Sequence, residues 1–336
     1  MLVASDCRRD ALFVTGRAPR GNLMEVLTPI QDKRGCPAGQ WRLISARRKM
    51  GRTLFEIEER SGRKLRRIVG KICRHERAEV LYRALRGLWM AGWKPPELYT
   101  VSRPLAFHPE KHLILQEKAP GQPALEAIVA GEEKAEAAGE ACARWLVRLQ
   151  STKVPAPAAG EFSQAAGLRS RALQAILPSE SSRIERVQAR IEEVLSNHPA
   201  TRVLSHGDFH GMNVLIHGDK RVTGIDLDKF SEKEPEADPA YFLAETAAQG
   251  FLQRGCFECT RAARSAFLKT YTANRGGSFH RARAGAWMAF TFLQHLHFEL
   301  ILLKTGHAKY VTPWMQAAET AAFDGNLELK GLPASS

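Results

Sequence analysis

Residues 203–229 read VLSHGDFHGMNVLIHGDKRVTGIDLDK. A short run, Arg202 to Leu204, enters a polar loop over Ser205–Met212, and a second, apolar run, Asn213 to Ile216, leaves it. His217-Gly218-Asp219-Lys220 then turns the chain into a third run, Val222 to Leu227, and Gly-Asp between apolar runs is a hairpin signal. The hairpin is expected to return Asp226 to the side of Asn213.

Three oxygen-bearing side chains in this stretch, Asp208, Asn213 and Asp226, suit phosphoryl transfer better than packing. That reaction needs one carboxylate to orient the acceptor hydroxyl and separate oxygen ligands for the metal on the nucleotide phosphates. Asp208 suits the first role. Asn213 and Asp226 suit the second, because Mg²⁺ takes hard oxygen ligands and keeps only one or two protein carboxylates. His206, two residues before Asp208, is expected to brace the loop by hydrogen bonding.

His206-Gly207-Asp208-Phe209-His210-Gly211-Met212-Asn213, followed by Ile225-Asp226-Leu227-Asp228, resembles the catalytic and metal loops of the aminoglycoside phosphotransferase and choline kinase group. These are small-molecule relatives of the protein kinases, which carry His-Arg-Asp and Asp-Phe-Gly at the same two places. Gly207 and Leu227 stand there instead and favour the small-molecule branch. The resemblance runs from about Trp41 to Leu243. It implies an α+β, protein-kinase-like, two-lobed fold with a small antiparallel β-rich N-lobe and a larger, mainly helical C-lobe.

The chain of 336 residues is long enough for two lobes, and 44% hydrophobic content suits a globular protein. No run approaches the ~18 apolar residues of a membrane span, and charged residues near the start leave no signal-peptide stretch, so a cytoplasmic protein is expected. Six cysteines, at 7, 36, 73, 142, 256 and 259, are too scattered for a disulfide framework. Cys256 and Cys259 form the one CxxC, read as incidental thiols in preference to a metal or redox pair. The net charge of +13 is uneven: residues 1–120 hold 25 Lys and Arg against 12 Asp and Glu, and the remainder is balanced. Such a basic third either attracts a polyanion or is a solvated surface.

Residues 1–36 form an extension whose role is unreadable, interrupted by Pro19, Gly21, Pro29 and Gly35. The N-lobe is expected over 37–118. Trp41–Ala46, Thr53–Glu59 and Leu65–Cys73 alternate as a three-stranded meander. Arg47, Arg48 and Lys49, at its first turn, either touch phosphates or face solvent. Lys71 lies in an apolar strand and requires a partner or a cleft. A helix from about His75 to Met90 follows, with Ala78, Leu81, Tyr82, Leu85, Leu88 and Trp89 on one face. The resemblance implies that Lys71 holds the α and β phosphates while paired with a glutamate of that helix. Glu76 and Glu79 compete for the pairing, and Glu79 is favoured by the Val80–Leu85 sequence after it. It also implies a hinge at Gln116–Gly121, where the backbone of Glu117, Lys118 and Ala119 binds adenine.

The C-lobe, 119–336, is expected to carry the catalytic hairpin at 203–229 and an acceptor-binding helical region over 240–325. Asp238, in Asp-Pro-Ala-Tyr-Phe-Leu-Ala, matches the family's aspartate that steadies the catalytic loop. His295 and His297 lie two apart on a helix and so on different faces, which makes packing the better reading than metal binding; His295 with Glu299 remains a possible i, i+4 pair. By resemblance the chain is a kinase using ATP and Mg²⁺ to phosphorylate a small hydroxyl-bearing molecule. A charge-balanced second lobe argues against polycationic aminoglycosides. A sugar, an amino alcohol or a similar metabolite fits better, with Glu245 or Glu299 able to serve one amine. The alternatives are a non-catalytic nucleotide-binding scaffold, or a kinase docked on nucleic acid or another acidic surface through its basic third.

Overall fold

The computed structural model describes residues 40–49, 52–61, 63–73, 77–158, 162–196, 201–218, 220–305 and 308–332. The extension at 1–36, the turn tip at 50–51 and Glu76 lie outside them. The chain forms two compact units.

The first unit comprises the described residues up to Lys94 together with Val101–Ala119. Strands β1 (Gln40–Lys49), β2 (Arg52–Ser61) and β3 (Lys64–Cys73) form the expected antiparallel meander. Strands β5 (Pro104–His108) and β6 (Leu113–Glu117) extend it in the order β1-β2-β3-β6-β5. Period-two alternation explains the two faces. Phe55, Ile57, Ile68, Leu113 and Leu115 form a buried core on one. On the other, Glu58 accepts Arg42 at 3.0 Å and Glu56 accepts Lys118 at 2.9 Å. These pairings offset part of the positive charge concentrated in this third of the chain. Helix α1 (Arg77–Met90) buries Ala78, Leu81, Ala84, Leu85 and Leu88, the helical spacing read from the sequence.

The second unit comprises Pro95–Thr100 and the residues from Pro120 onward. Here the fold departs from the sequence reading. The N-lobe expected over 37–118 takes in Tyr99–Val101, but β4 (Tyr99–Val101) pairs instead with β10 (Val222–Gly224), in a sheet ordered β4-β10-β9-β7. Strand β7 is Gln122–Pro123 and β9 is Val214–Ile216. Val222 N–H donates to Leu98 O at 2.7 Å, the Thr100 and Thr223 hydroxyls bond at 2.7 Å, and Trp145 Nε1 donates to Thr100 O. Strand β8 (Val203–Ser205) pairs with β11 (Ser231–Lys233).

Helices make up the rest of this unit: α2 (Ala124–Ala130), α3 (Glu132–Ser151), α4 (Phe162–Ile176), α5 (Ser181–Ser196), α6 (Ala237–Arg254), α7 (Arg261–Asn274), α8 (Arg281–His297) and α9 (Val311–Asp324). A chain of buried aromatics ties helices to hairpin. Trp145 of α3 stacks on Phe209 at 5.5 Å, and Phe209 meets Phe242 of α6, which stacks on Phe267 of α7 at 4.1 Å. Among the described residues no helix is long and apolar enough to cross a membrane.

Candidate active site

The loop that carries Asp208 is held by its own sequence. Phe209 is fully buried in the aromatic chain, which anchors the loop between Asp208 and His210. The hairpin closes through β9 and β10, and Ile225 N–H donates to Asn213 O at 2.9 Å. Asp226 thus follows directly on the residue bonded to Asn213, as expected. A Cβ on Gly224 would lie 2.0 Å from the Trp145 ring, so only glycine lets the indole close over this strand.

His206, 0% exposed, links the two loops. Its Nε2 faces the Ile225 carbonyl at 2.8 Å, and its Nδ1 faces the Asp208 N–H at 3.3 Å. A carbonyl only accepts and an N–H only donates, so the ring is the neutral tautomer with its proton on Nε2. The bracing role read from the sequence is what the geometry gives. Asp238, 2% exposed, sits in the first turn of α6 and clamps the loop from below. Its Oδ1 accepts Ser205 Oγ at 3.0 Å and Gly207 N–H at 2.9 Å, and its Oδ2 accepts His206 N–H at 2.7 Å. Gly207 has φ +78°, and a Cβ there would lie 2.3 Å from Lys229 O. The arginine that protein kinases carry at this place has no room here.

Asp208 is half-buried. Its Oδ1 accepts Lys229 Nζ at 2.8 Å and Tyr241 OH at 3.0 Å. Burial pushes its carboxyl upward, but the ammonium of Lys229 beside it pulls the other way, and the carboxyl lies below its ordinary value of 3.8. Asn213 Nδ2 donates to the Asp208 main-chain oxygen at 2.9 Å and to His210 Nε2 at 3.0 Å. That fixes the amide's orientation, and its Oδ1 has no protein partner among the described residues. Asp226 adopts the left-handed conformation, φ 61° and ψ 49°. A non-glycine residue held there stores strain of the kind found at functional sites. A fixed amide oxygen and a carboxylate on adjoining chain segments fit a hard divalent cation. Among the described residues no group of three or more His, Cys, Asp and Glu forms a metal cage, so such an ion would draw its remaining ligands from phosphate and water.

Lys71 lies in the first unit on β3, opposite Leu54 and Ile114, and is 4% exposed. Its expected partner is corrected. Glu79 points away from the buried face of α1, is 48% exposed and accepts Arg83 Nη2 at 2.6 Å. Positions 79 and 83 are i, i+4 neighbours on the solvent side, and that local pairing takes the carboxylate away from the role. The competing Glu76 lies outside the described residues. At the hinge, Glu117 N–H donates to Arg103 O and Lys118 N–H to Arg67 O, each at 2.9 Å, so both belong to the sheet. Of the three hinge amides, that of Ala119 stands outside the sheet's hydrogen bonds among the described residues.

Two further site residues went unread in the sequence. Tyr241 follows Asp238 by three positions, hence on the same face of α6, and that spacing was available as a signal. Lys229 ends the 3₁₀ turn Leu227–Lys229 that follows Asp226, and nothing local marks it. His295 and Glu299 are both buried, in line with the favoured packing reading, and the alternative pair between them does not form. His295 Nε2 lies 2.7 Å from Glu245 Oε2 of α6, while Glu299 Oε2 accepts Thr305 Oγ1, because α8 passes into a π turn at Phe298–Leu302. Cys259 Sγ donates to Cys256 O, and burial raises its thiol to about 11, the opposite of a reactive pair.

A clamped aspartate with an amide oxygen and a second carboxylate on the same hairpin is an arrangement that suits phosphoryl transfer. Residues 56–287 match the phosphotransferase enzyme family, and since this is more than half of the 336 residues, the chain belongs to that family. Solved structures agree in fold. The amicoumacin kinase hAmiN, in complex with AMP-PNP and Ca²⁺, is similar with a TM-score of 0.60 at 15% identity, over 91% of this chain and 93% of that one. A choline/ethanolamine kinase family protein from Mesorhizobium loti gives 0.57 at 16% identity, over 92% and 94%. A Plasmodium vivax ethanolamine kinase gives 0.57 at 13% identity, over 90% and 84%. Compared with curated proteins, the sequence finds no match.

Proposed function

We propose that this kinase moves the γ-phosphate of ATP, with Mg²⁺, to a hydroxyl of a small metabolite. The observation that carries the reading is the constellation at the hairpin: among the described residues Asp208 is held on Oδ1 alone, and Asn213 bonds both to the main-chain oxygen of Asp208 and to Ile225, the residue before Asp226. When bound, Mg²⁺ would neutralise charge on the nucleotide phosphates, and Asn213 Oδ1 and the Asp226 carboxylate would hold it. Lys71 binds the α and β phosphates, and the Ala119 N–H offers adenine a donor. Asp208 orients the acceptor hydroxyl and takes its proton.

The charge of the helical region bears on the acceptor. Glu245 is engaged by Gln249 and His295, and Glu299 by Thr305, so neither buried acid is left open for a polycation. Lys229 and Lys233 add positive charge near Asp208. Both observations favour a sugar, an amino alcohol or a comparable metabolite over an aminoglycoside. Radiolabelled γ-phosphate transfer across a panel of sugars, amino alcohols and aminoglycosides tests this. Label on aminoglycosides alone would overturn the acceptor preference.

The protonation state of Asp208 gives a second check. The group works as a carboxylate and its value is lowered, so activity depending on it is present above that value and lost only as pH falls through it. The kcat profile is expected to be flat in this group between about pH 5 and 7. An acid limb with its midpoint in that window would place the base elsewhere.

A further inference from the structure

We propose that Lys229 and Tyr241 act together as positioning residues that immobilise one oxygen of Asp208 and present the other to the acceptor hydroxyl. The inference rests on the reading of Asp208 as the carboxylate that receives the hydroxyl proton. Lys229 Nζ at 2.8 Å and Tyr241 OH at 3.0 Å converge on the same atom, Oδ1. Among the described residues Oδ2 has no protein partner. A free carboxylate rotates about χ2 and exchanges its oxygens; two donors on one oxygen stop that rotation.

The two donors come from parts of the chain that already fix the loop. Tyr241 is one helical turn beyond Asp238, so the same turn of α6 holds the loop backbone through residue 238 and the catalytic side chain through residue 241. Lys229 stands where its own carbonyl packs on Gly207, which sets its ammonium beside the next residue, Asp208. At 52% exposure, the Lys229 side chain forms an ion pair that contributes little to stability, so its placement has meaning mainly for the site. Its charge also offsets the repulsion between Asp208 and an incoming γ-phosphate. In the transfer, the acceptor oxygen bonds to the γ-phosphorus as the bond from phosphorus to the bridging oxygen of ADP breaks. The hydroxyl proton passes to Oδ2.

Lys229→Met, Lys229→Arg, Tyr241→Phe and Asp208→Ala are to be assayed for Mg²⁺-ATP hydrolysis, with water as the acceptor, and for melting temperature. Lys229→Met is expected to lower kcat about 100-fold and Tyr241→Phe about tenfold, with KM for ATP changed less than about twofold. Lys229→Arg should recover most of the loss, and melting temperatures should stay close to the parent. In an Asp208→Ala background neither substitution should lower the rate further, since both act through that carboxylate. Full kcat in Lys229→Met and Tyr241→Phe, or an unchanged effect in the Asp208→Ala background, would overturn the inference while leaving the role of Asp208 intact. Full activity in Asp208→Ala itself would instead remove the reading on which it rests.

Discussion

Asp208→Ala is expected to lower turnover by about 10³- to 10⁴-fold while leaving the stabilisation by ATP and Mg²⁺ in place. In the proposed mechanism the substitution deletes the group that orients and deprotonates the acceptor, and it touches neither Asn213 Oδ1 nor the Asp226 carboxylate. The fold tolerates the change. Lys229 is exposed enough to be solvated when its partner goes, and Tyr241 OH loses one hydrogen bond, worth about 1 kcal/mol. Asn213 bonds to the main-chain oxygen of residue 208, which alanine retains. A variant that melts like the parent, binds nucleotide and does not turn over is therefore the expected result. A rate within tenfold of the parent would take Asp208 out of the chemistry.

Asp238→Ala is expected to be lost to both stability and activity. Asp238 is buried and accepts three hydrogen bonds, two of them from the backbone amides of His206 and Gly207. Deletion leaves those amides in a water-poor site without acceptors, at about 1–3 kcal/mol each. Against a total stability of roughly 5–15 kcal/mol, a loss of about 3–5 is severe, and a fall in melting temperature on the order of 10 °C follows. Activity should fall further than stability explains, because the loop that carries Asp208 loses its anchor. Asp238→Asn keeps one carbonyl oxygen and should fall between parent and alanine. A melting temperature within about 2 °C of the parent for Asp238→Ala would show that the clamp is dispensable.

What was legible in the sequence was local. Asp208, Asn213 and Asp226 lie within one hairpin, so strand periodicity, a Gly-Asp turn and the demands of phosphoryl transfer sufficed to bring them together. Asp238 was legible through its motif, and Tyr241 could have been read from it by counting three residues along a helix. Glu79 was misread although its answer was also local, since Arg83 four residues on is its partner on the exposed face of α1. Contacts between distant segments stayed hidden. Strand β4 joins β10 through Thr100 and Thr223, 123 residues apart, and His295 meets Glu245 of another helix in place of its neighbour Glu299. No periodicity within either segment encodes such a choice of partner.

The central claim is that the hairpin residues complete a nucleotide and metal site. It is tested most directly by the melting temperature of the parent and of Asp226→Ala with Mg²⁺ alone, ATP alone and both, because a ligand bound only by the folded state raises apparent stability. The expected result is a rise of several degrees that requires ATP and Mg²⁺ together and is lost in Asp226→Ala. No shift in the parent under any condition, or an equal shift in Asp226→Ala, would contradict the account.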